Sequence, residues 1–120
     1  MTSERLLTGD AVTAELTVDG LHPADVVAGT PVASSTELTS ARGVDVGVWQ
    51  LTAGTVTDTE VDEVFIVLTG RGEVTFADGE VVPLAPGTVV RLRAGERTTW
   101  TVTETLRKIY VLLPHEEPVL

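Results

Sequence analysis

From Ser35 onward the chain is a series of short apolar runs separated by glycine, proline or aspartate. Valine and threonine dominate these runs, and branching at Cβ suits the pleated surface of a strand. The pattern predicts strands over residues 36–39, 44–52, 61–69, 73–76, 81–84, 88–93, 98–103 and 106–113. Between two of them, Ala77-Asp78-Gly79 reads as a hairpin turn, because Asp-Gly accepts positive φ cheaply. Ala85-Pro86-Gly87 marks another turn. Upstream, residues 12–18 make a short first strand. His22-Pro23 through Pro31 reads as a loop or one short helical turn, since two prolines discourage a long helix. No comparable helix pattern occurs. Strands at this spacing predict an all-β sandwich or barrel.

Composition narrows the function classes. The chain has 120 residues, enough for one domain, and a hydrophobic fraction of 42% supplies a core. The formal net charge is −10, from 8 basic and 18 acidic residues. Nucleic acids are bound largely through Lys and Arg on phosphates, and anionic membranes repel such a surface, so neither partner is expected. Cysteine is absent, which excludes disulfides, thiolate metal sites and cysteine nucleophiles. No secretion-signal pattern or membrane-length apolar stretch occurs in the sequence, and a cytoplasmic protein is expected. Neither a Gly-x-Ser-x-Gly elbow nor a phosphate-binding glycine pattern is present.

Two glycine-framed segments carry a family resemblance. Glu63 stands six residues before Gly70 in the run Gly54 to Gly72, and Gly87 and Gly95 frame a second run ending at Val102. This spacing resembles the two signature motifs of the cupin barrel. Arg93, Thr98 and Val102 occupy the proline, histidine and asparagine positions of the second motif. The chain is also similar to cupins of the ureidoglycine aminohydrolase-like and ethanolamine-utilisation-like subfamily. That similarity rests on Gly47-Val48-Trp49, Gly54, Asp62-Glu63, Leu84-x-Pro86-Gly87, Trp100-Thr101-Val102 and Arg107-Lys108-x-Tyr110, and spans residues 38–113. It implies a single cupin barrel over residues 35–114, an N-terminal arm over 1–34 and a tail over 115–120. It also implies homodimers, with the arm crossing to the partner.

The metal chemistry of many cupins is not matched. Their sites use three imidazoles and a carboxylate. The only histidines here are His22, in a predicted loop, and His115, in the tail, and both read as surface residues. No metal and no cofactor are therefore expected. Asp58, Glu60, Asp62 and Glu63 could form an oxygen-only site for a hard cation, or a solvated acidic loop leading into a strand. Alternation puts the first three on one face and Glu63 on the other.

Glu63 shares its strand face with Phe65 and Val67, while Val64, Ile66 and Leu68 make the opposite face apolar too, so burial on both faces is expected. The resemblance points Glu63 into the barrel, where loss of water disfavours a carboxylate unless a cation or donors compensate. Glu63 is then either a general acid, base or anchor, or a structural carboxylate. Thr98 and Trp100 share a face. With Glu63, Trp49 and Tyr110 they make either a small ligand site or simple core filling. Arg107 and Lys108 are partners for the acidic residues or ordinary surface charges.

Three functions fit these residues. The first is binding of a small polar metabolite, with Glu63 as anchor, Thr98 as hydroxyl donor and Trp49 and Trp100 as walls. The second is an amidohydrolase- or isomerase-like enzyme without the usual metal, using Glu63 as base and Tyr110 or Lys108 as acid. The third is a structural dimer with a filled barrel. On the first reading Glu63→Gln weakens binding with little loss of folding.

Overall fold

A computed structural model describes residues 5–114. The tail with His115 lies outside them. The strands are β1 (Thr17–Asp19), β2 (Val26–Ala28), β3 (Ala33–Ala41), β4 (Val44–Leu51), β5 (Gly54–Thr59), β6 (Glu63–Phe76), β7 (Val81–Leu84), β8 (Val89–Leu92) and β9 (Arg97–Leu112). A 3-10 turn, Pro23–Asp25, precedes β2, and no α-helix occurs among the described residues. No helix is long and apolar enough to cross a membrane. All pairings are antiparallel, and the nine strands form one curled, barrel-like sheet.

The long pair β6–β9 is the spine, pairing from Glu63↔Leu112 to Phe76↔Thr98. Each spine strand serves two shorter neighbours in turn. On the far side of β6, β8 pairs with Glu63 to Ile66 and β7 with Gly72 to Thr75. On the far side of β9, β4 pairs with Leu106 to Leu112 and β5 with Arg97 to Val102. The sequence reads each spine strand as two. The glycines Gly70 and Gly72 look like a break, but they sit at a run of register shifts between Val67 and Gly72. These bulges bend β6 without ending it. They also change its inward parity, from Glu63, Phe65 and Val67 to Val74. Gly70 has φ +99°, and a Cβ there would overlap the carbonyl oxygen of Thr105. Glycine alone fits that close approach.

The apolar cluster inside the curl joins Leu51, Val56, Phe65, Val74, Leu92 and Leu106 with Trp100. The outer face of β6 is open where burial was expected. Ile66 is 38% exposed, and its neighbour across the β6–β8 pairing, Val89, is 61% exposed. A single curled layer covers only its concave side.

The first strand is shorter and later than the 12–18 expected, and β2 and β5 arise where no strand was predicted. Neighbouring strands explain all three. β1 finds β3, and β2 finds β5, so the arm supplies both ends of the sheet path. Both arm strands pair within their own chain. Segment 20–25 therefore crosses from one end of the sheet to the other. Arg107 fastens the preceding stretch by donating to the carbonyls of Ala11 (3.0 Å) and Ala14 (2.9 Å), while its other donors hold Gln50. It is a tether rather than a free surface charge.

Gly70→Ala is expected to lose about 2–4 kcal/mol of stability, from overlap and backbone strain together. Gly79→Ala, also at positive φ but facing open space, is expected to lose only about 1 kcal/mol. Urea melts of the two variants measure the difference.

Candidate functional site

Along β9, alternate residues face the barrel interior, and Thr98, Trp100 and Lys108 are all buried. Lys108 lies opposite Trp49 of β4 and Val67 of β6. A lysine in that register carries its ammonium into the core, where an unpaired charge is costly. Two features offset the cost. Lys108 Nζ donates to Glu63 Oε2 at 2.6 Å, with both side chains more than nine-tenths buried. Three rings surround the same nitrogen, their centroids 4.3 Å (Phe65), 4.7 Å (Trp49) and 4.8 Å (Trp100) away. Their faces carry partial negative charge and attract the cation. The rings also pack on one another, with centroids 5.6 Å apart for Trp49–Trp100 and 5.4 Å for Phe65–Trp100.

Glu60 forms a second buried polar knot. Its Oε2 accepts from Thr98 Oγ1 (2.7 Å) and from Trp100 Nε1 (3.0 Å). The acidic run is thus not the solvated loop that the sequence allowed: Glu60 is 7% exposed. The loop is drawn in because Glu60 exchanges backbone hydrogen bonds with the β8–β9 turn, its N–H to Glu96 and its carbonyl to Gly95. Asp62 takes the other direction and pairs with Arg91 at 3.2 Å on the outside.

Asp58 stands beside Glu60. Loss of water in the recess raises its pKa to about 6, and the neighbouring Glu60 carboxyl adds to the shift by charge and by a shared hydrogen bond. The N–H of Thr59 and the charge of Lys108 pull the other way. Asp58 keeps exposed surface, so solvent screens part of its charge. At Tyr110, burial pushes the phenol up, with Glu37, Asp45, Glu63 and Asp19 adding to it. The ring lies across Gly47, where a Cβ would overlap its hydroxyl.

These groups border a recess of about 430 Å³. Its floor is Glu63, Lys108 and Trp100, and its walls include Trp49, Tyr110 and Asp58. The crossing segment of the arm, through Leu21, His22 and Asp25, forms the rim. Of the residues singled out from sequence, Glu63, Trp49, Trp100 and Tyr110 come together there. Thr98 does not reach the space, because its hydroxyl is turned to Glu60 beneath it. Sequence reasoning undervalued Glu60, Asp58 and Lys108. Lys108 could have been found by carrying the two-residue period of Thr98 and Trp100 along β9. His22 is exposed, as a surface histidine would be, yet lines the rim, where its Nδ1 accepts from Ala24 N–H.

An imidazole-rich metal centre does not fit these residues. Glu63 is already bound to an ammonium, and Thr98 and Trp100 are committed to Glu60. Among the described residues no group of three or more His, Asp and Glu side chains is arranged to hold a metal.

Residues 38–110 match the family model of the EutQ-like cupin domain. The chain belongs to that cupin family. No curated protein matches this cupin. Among solved structures it is similar to a DUF861-family protein of unknown function from Pseudomonas syringae pv. tomato str. DC3000. Their TM-score is 0.76 at 24% identity, over 87% of this chain and 46% of that one. This chain thus spans about half the length of that protein. It is similar also to the EutQ protein of Clostridium difficile (TM-score 0.64, 20% identity, 82% and 83% of the two chains). A protein of unknown function from Rhizobium leguminosarum bv. viciae 3841 is 31% identical over 69% of this cupin and 82% of its own chain, with TM-score 0.63.

The buried pair corrects the expectation that Glu63→Gln spares folding. Lys108→Met strands a buried carboxylate and is expected to lose about 3–5 kcal/mol. Glu63→Gln leaves the ammonium uncompensated and is expected to be clearly destabilising. The double variant should lose less than the sum of the two, which a double-mutant cycle in urea reads directly. Asp58 gives a pH signature. Its folded pKa lies above its unfolded value near 3.8, so the folded state holds the proton longer. The contribution of Asp58 to stability is greatest below that lower value and is lost as pH rises through about 6. Asp58→Asn should therefore gain on the wild type across that window, as unfolding free energies at its two ends would reveal.

Proposed function

We propose that this protein binds a small polar metabolite in the recess beneath the arm, without a three-histidine metal site. The observation that carries the reading is open volume directly beside Glu63 and Lys108. A purely structural barrel would have packed side chains there, because protein interiors are close-packed and an unfilled void forfeits dispersion contacts. The recess has the make-up of a small-molecule site: aromatic walls, a few fixed polar groups and a volume within the usual range. Glu63 and Lys108 form a pre-oriented floor, Trp49 and Trp100 present flat faces, and Asp58 waits at the side. Thr98 acts indirectly, by holding Glu60.

A second reading is a metal-independent enzyme of the amidohydrolase or isomerase kind. Asp58 favours it, since a carboxyl that titrates at about 6 exchanges protons readily near neutral pH. Asp58 then takes the base role that the sequence had assigned to Glu63, which is occupied by Lys108. Tyr110, with its pKa raised, makes a poorer acid than the sequence suggested.

A thermal-shift screen with cationic, neutral and anionic metabolites tests the binding reading. A true ligand at about 100 times its Kd is expected to add about 2.7 kcal/mol of stability, and Trp49→Leu should reduce that gain. If no metabolite of any charge raises the melting temperature, the reading fails.

A further inference from the structure

The recess is more acidic than its floor requires. Glu63 and Lys108 cancel one another, which leaves Asp25, Asp58 and Glu60 facing the same space, with His22 at the rim. One carboxylate is also incompletely used. Glu60 accepts from Thr98 and Trp100 on Oε2 and shares a further hydrogen bond with Asp58, and Glu63 accepts from Lys108 on Oε2. Oε1 of Glu63 accepts no N–H or hydroxyl among the described residues. No side-chain polar atom that is fully enclosed lacks a partner. Oε1 of Glu63 must therefore touch open space. Glu60 and Glu63 are each 7% exposed, and both line the recess. A buried carboxylate beside open volume is satisfied there by water or by a ligand's donor.

We propose that the ligand is a small organic cation, an alkylammonium or amidinium, with its charged head between Asp58 and Glu60 and its apolar body against the indoles of Trp49 and Trp100. The inference rests on the recess being a binding site and adds the ligand's charge and orientation. The protein already displays the chemistry with its own cation, since it holds the Lys108 ammonium between one carboxylate and three ring faces. A second cation finds the remaining indole surface and the remaining carboxylates. An anion in this space would meet Asp25, Asp58 and Glu60 without a free positive charge, because Lys108 is neutralised by Glu63.

The site also couples binding to a proton. Asp58 shares a hydrogen bond with Glu60, and the groups acting on it are known from each side. Glu60 raises its pKa and Lys108 of β9 lowers it. Asp25 and His22 stand across the recess on the arm. Arg97 of β9 flanks it through the Thr59 register position. Entry of a cation expels the shared proton, so binding strengthens as pH rises through the titration of Asp58.

The chain's two tryptophans make the test direct. Trp100 Nε1–H donates to Glu60, so its indole resonance in a 15N–1H spectrum reports on the carboxylate pair. The probes are n-butylammonium, n-butanol and n-butyrate, alike in shape and different in charge. We expect a saturable shift of the Trp100 indole signal with n-butylammonium only, about tenfold tighter near pH 7 than near pH 5. Asp58→Asn, at an exposed position that leaves the fold intact, should weaken binding and flatten its pH dependence. Equal or tighter binding of n-butyrate or n-butanol overturns the proposal, as does n-butylammonium binding that ignores pH or fails to saturate. In that event neutral or anionic hits in the metabolite screen would leave the binding site standing with a different ligand class, and their absence would remove both.

Discussion

A buried ammonium tolerates very few arrangements of its neighbours, and the centre of this protein is organised around one. Lys108 reaches the barrel interior from the middle of β9, and its charge is met by Glu63 on β6 and by rings from β4, β6 and β9. The pair thereby checks the registry of three strands at once. A slip of one residue in β9 would turn Lys108 outward and bring Arg107 in, and every side chain on the strand would change face. Arg107 is itself committed outside, to the arm and to Gln50. Adjacent basic residues thus act on opposite faces of one strand, one organising the core and the other fastening the arm.

The same buried pair, Lys108 and Glu63, borders the recess. Glu60, Glu63 and Lys108 are held by partners on one side and border the open volume on the other. The arm roofs this space because its two short strands attach to opposite ends of the sheet path. Neither strand would be stable alone at three residues. Each is held by an edge that would otherwise present unpaired backbone groups. Roof, edge protection and site are therefore consequences of one topology.

Much of the fold could be read from spacing. The turn at Asp78-Gly79, the strand over 81–84 and the all-β class follow from local rules that neighbours did not override. What escaped was governed by pairing at a distance. The bend at Gly70 looked like a strand end because glycine serves both purposes, and only the approach of Thr105 distinguishes them. β2 and β5 carry weak patterns and become strands because each completes the other. At the site, the types of Glu63, Trp49, Trp100 and Tyr110 drew notice by themselves. Glu60 did not, since an acidic residue in an acidic run looks solvated until Thr98 and Trp100, about 40 residues later, are seen to hold it.

The sequence by itself determined an all-β chain, an acidic composition, too few histidines for an imidazole-rich metal centre and a short set of aromatic and carboxylate candidates. These are properties of residue type and local period, and they survive without knowledge of contacts. Only the tertiary structure decided which charges are buried, which carboxylate faces which donor and where empty volume remains. Those depend on residues far apart in the chain meeting at distances near 3 Å, and on the desolvation that follows, which no local pattern encodes.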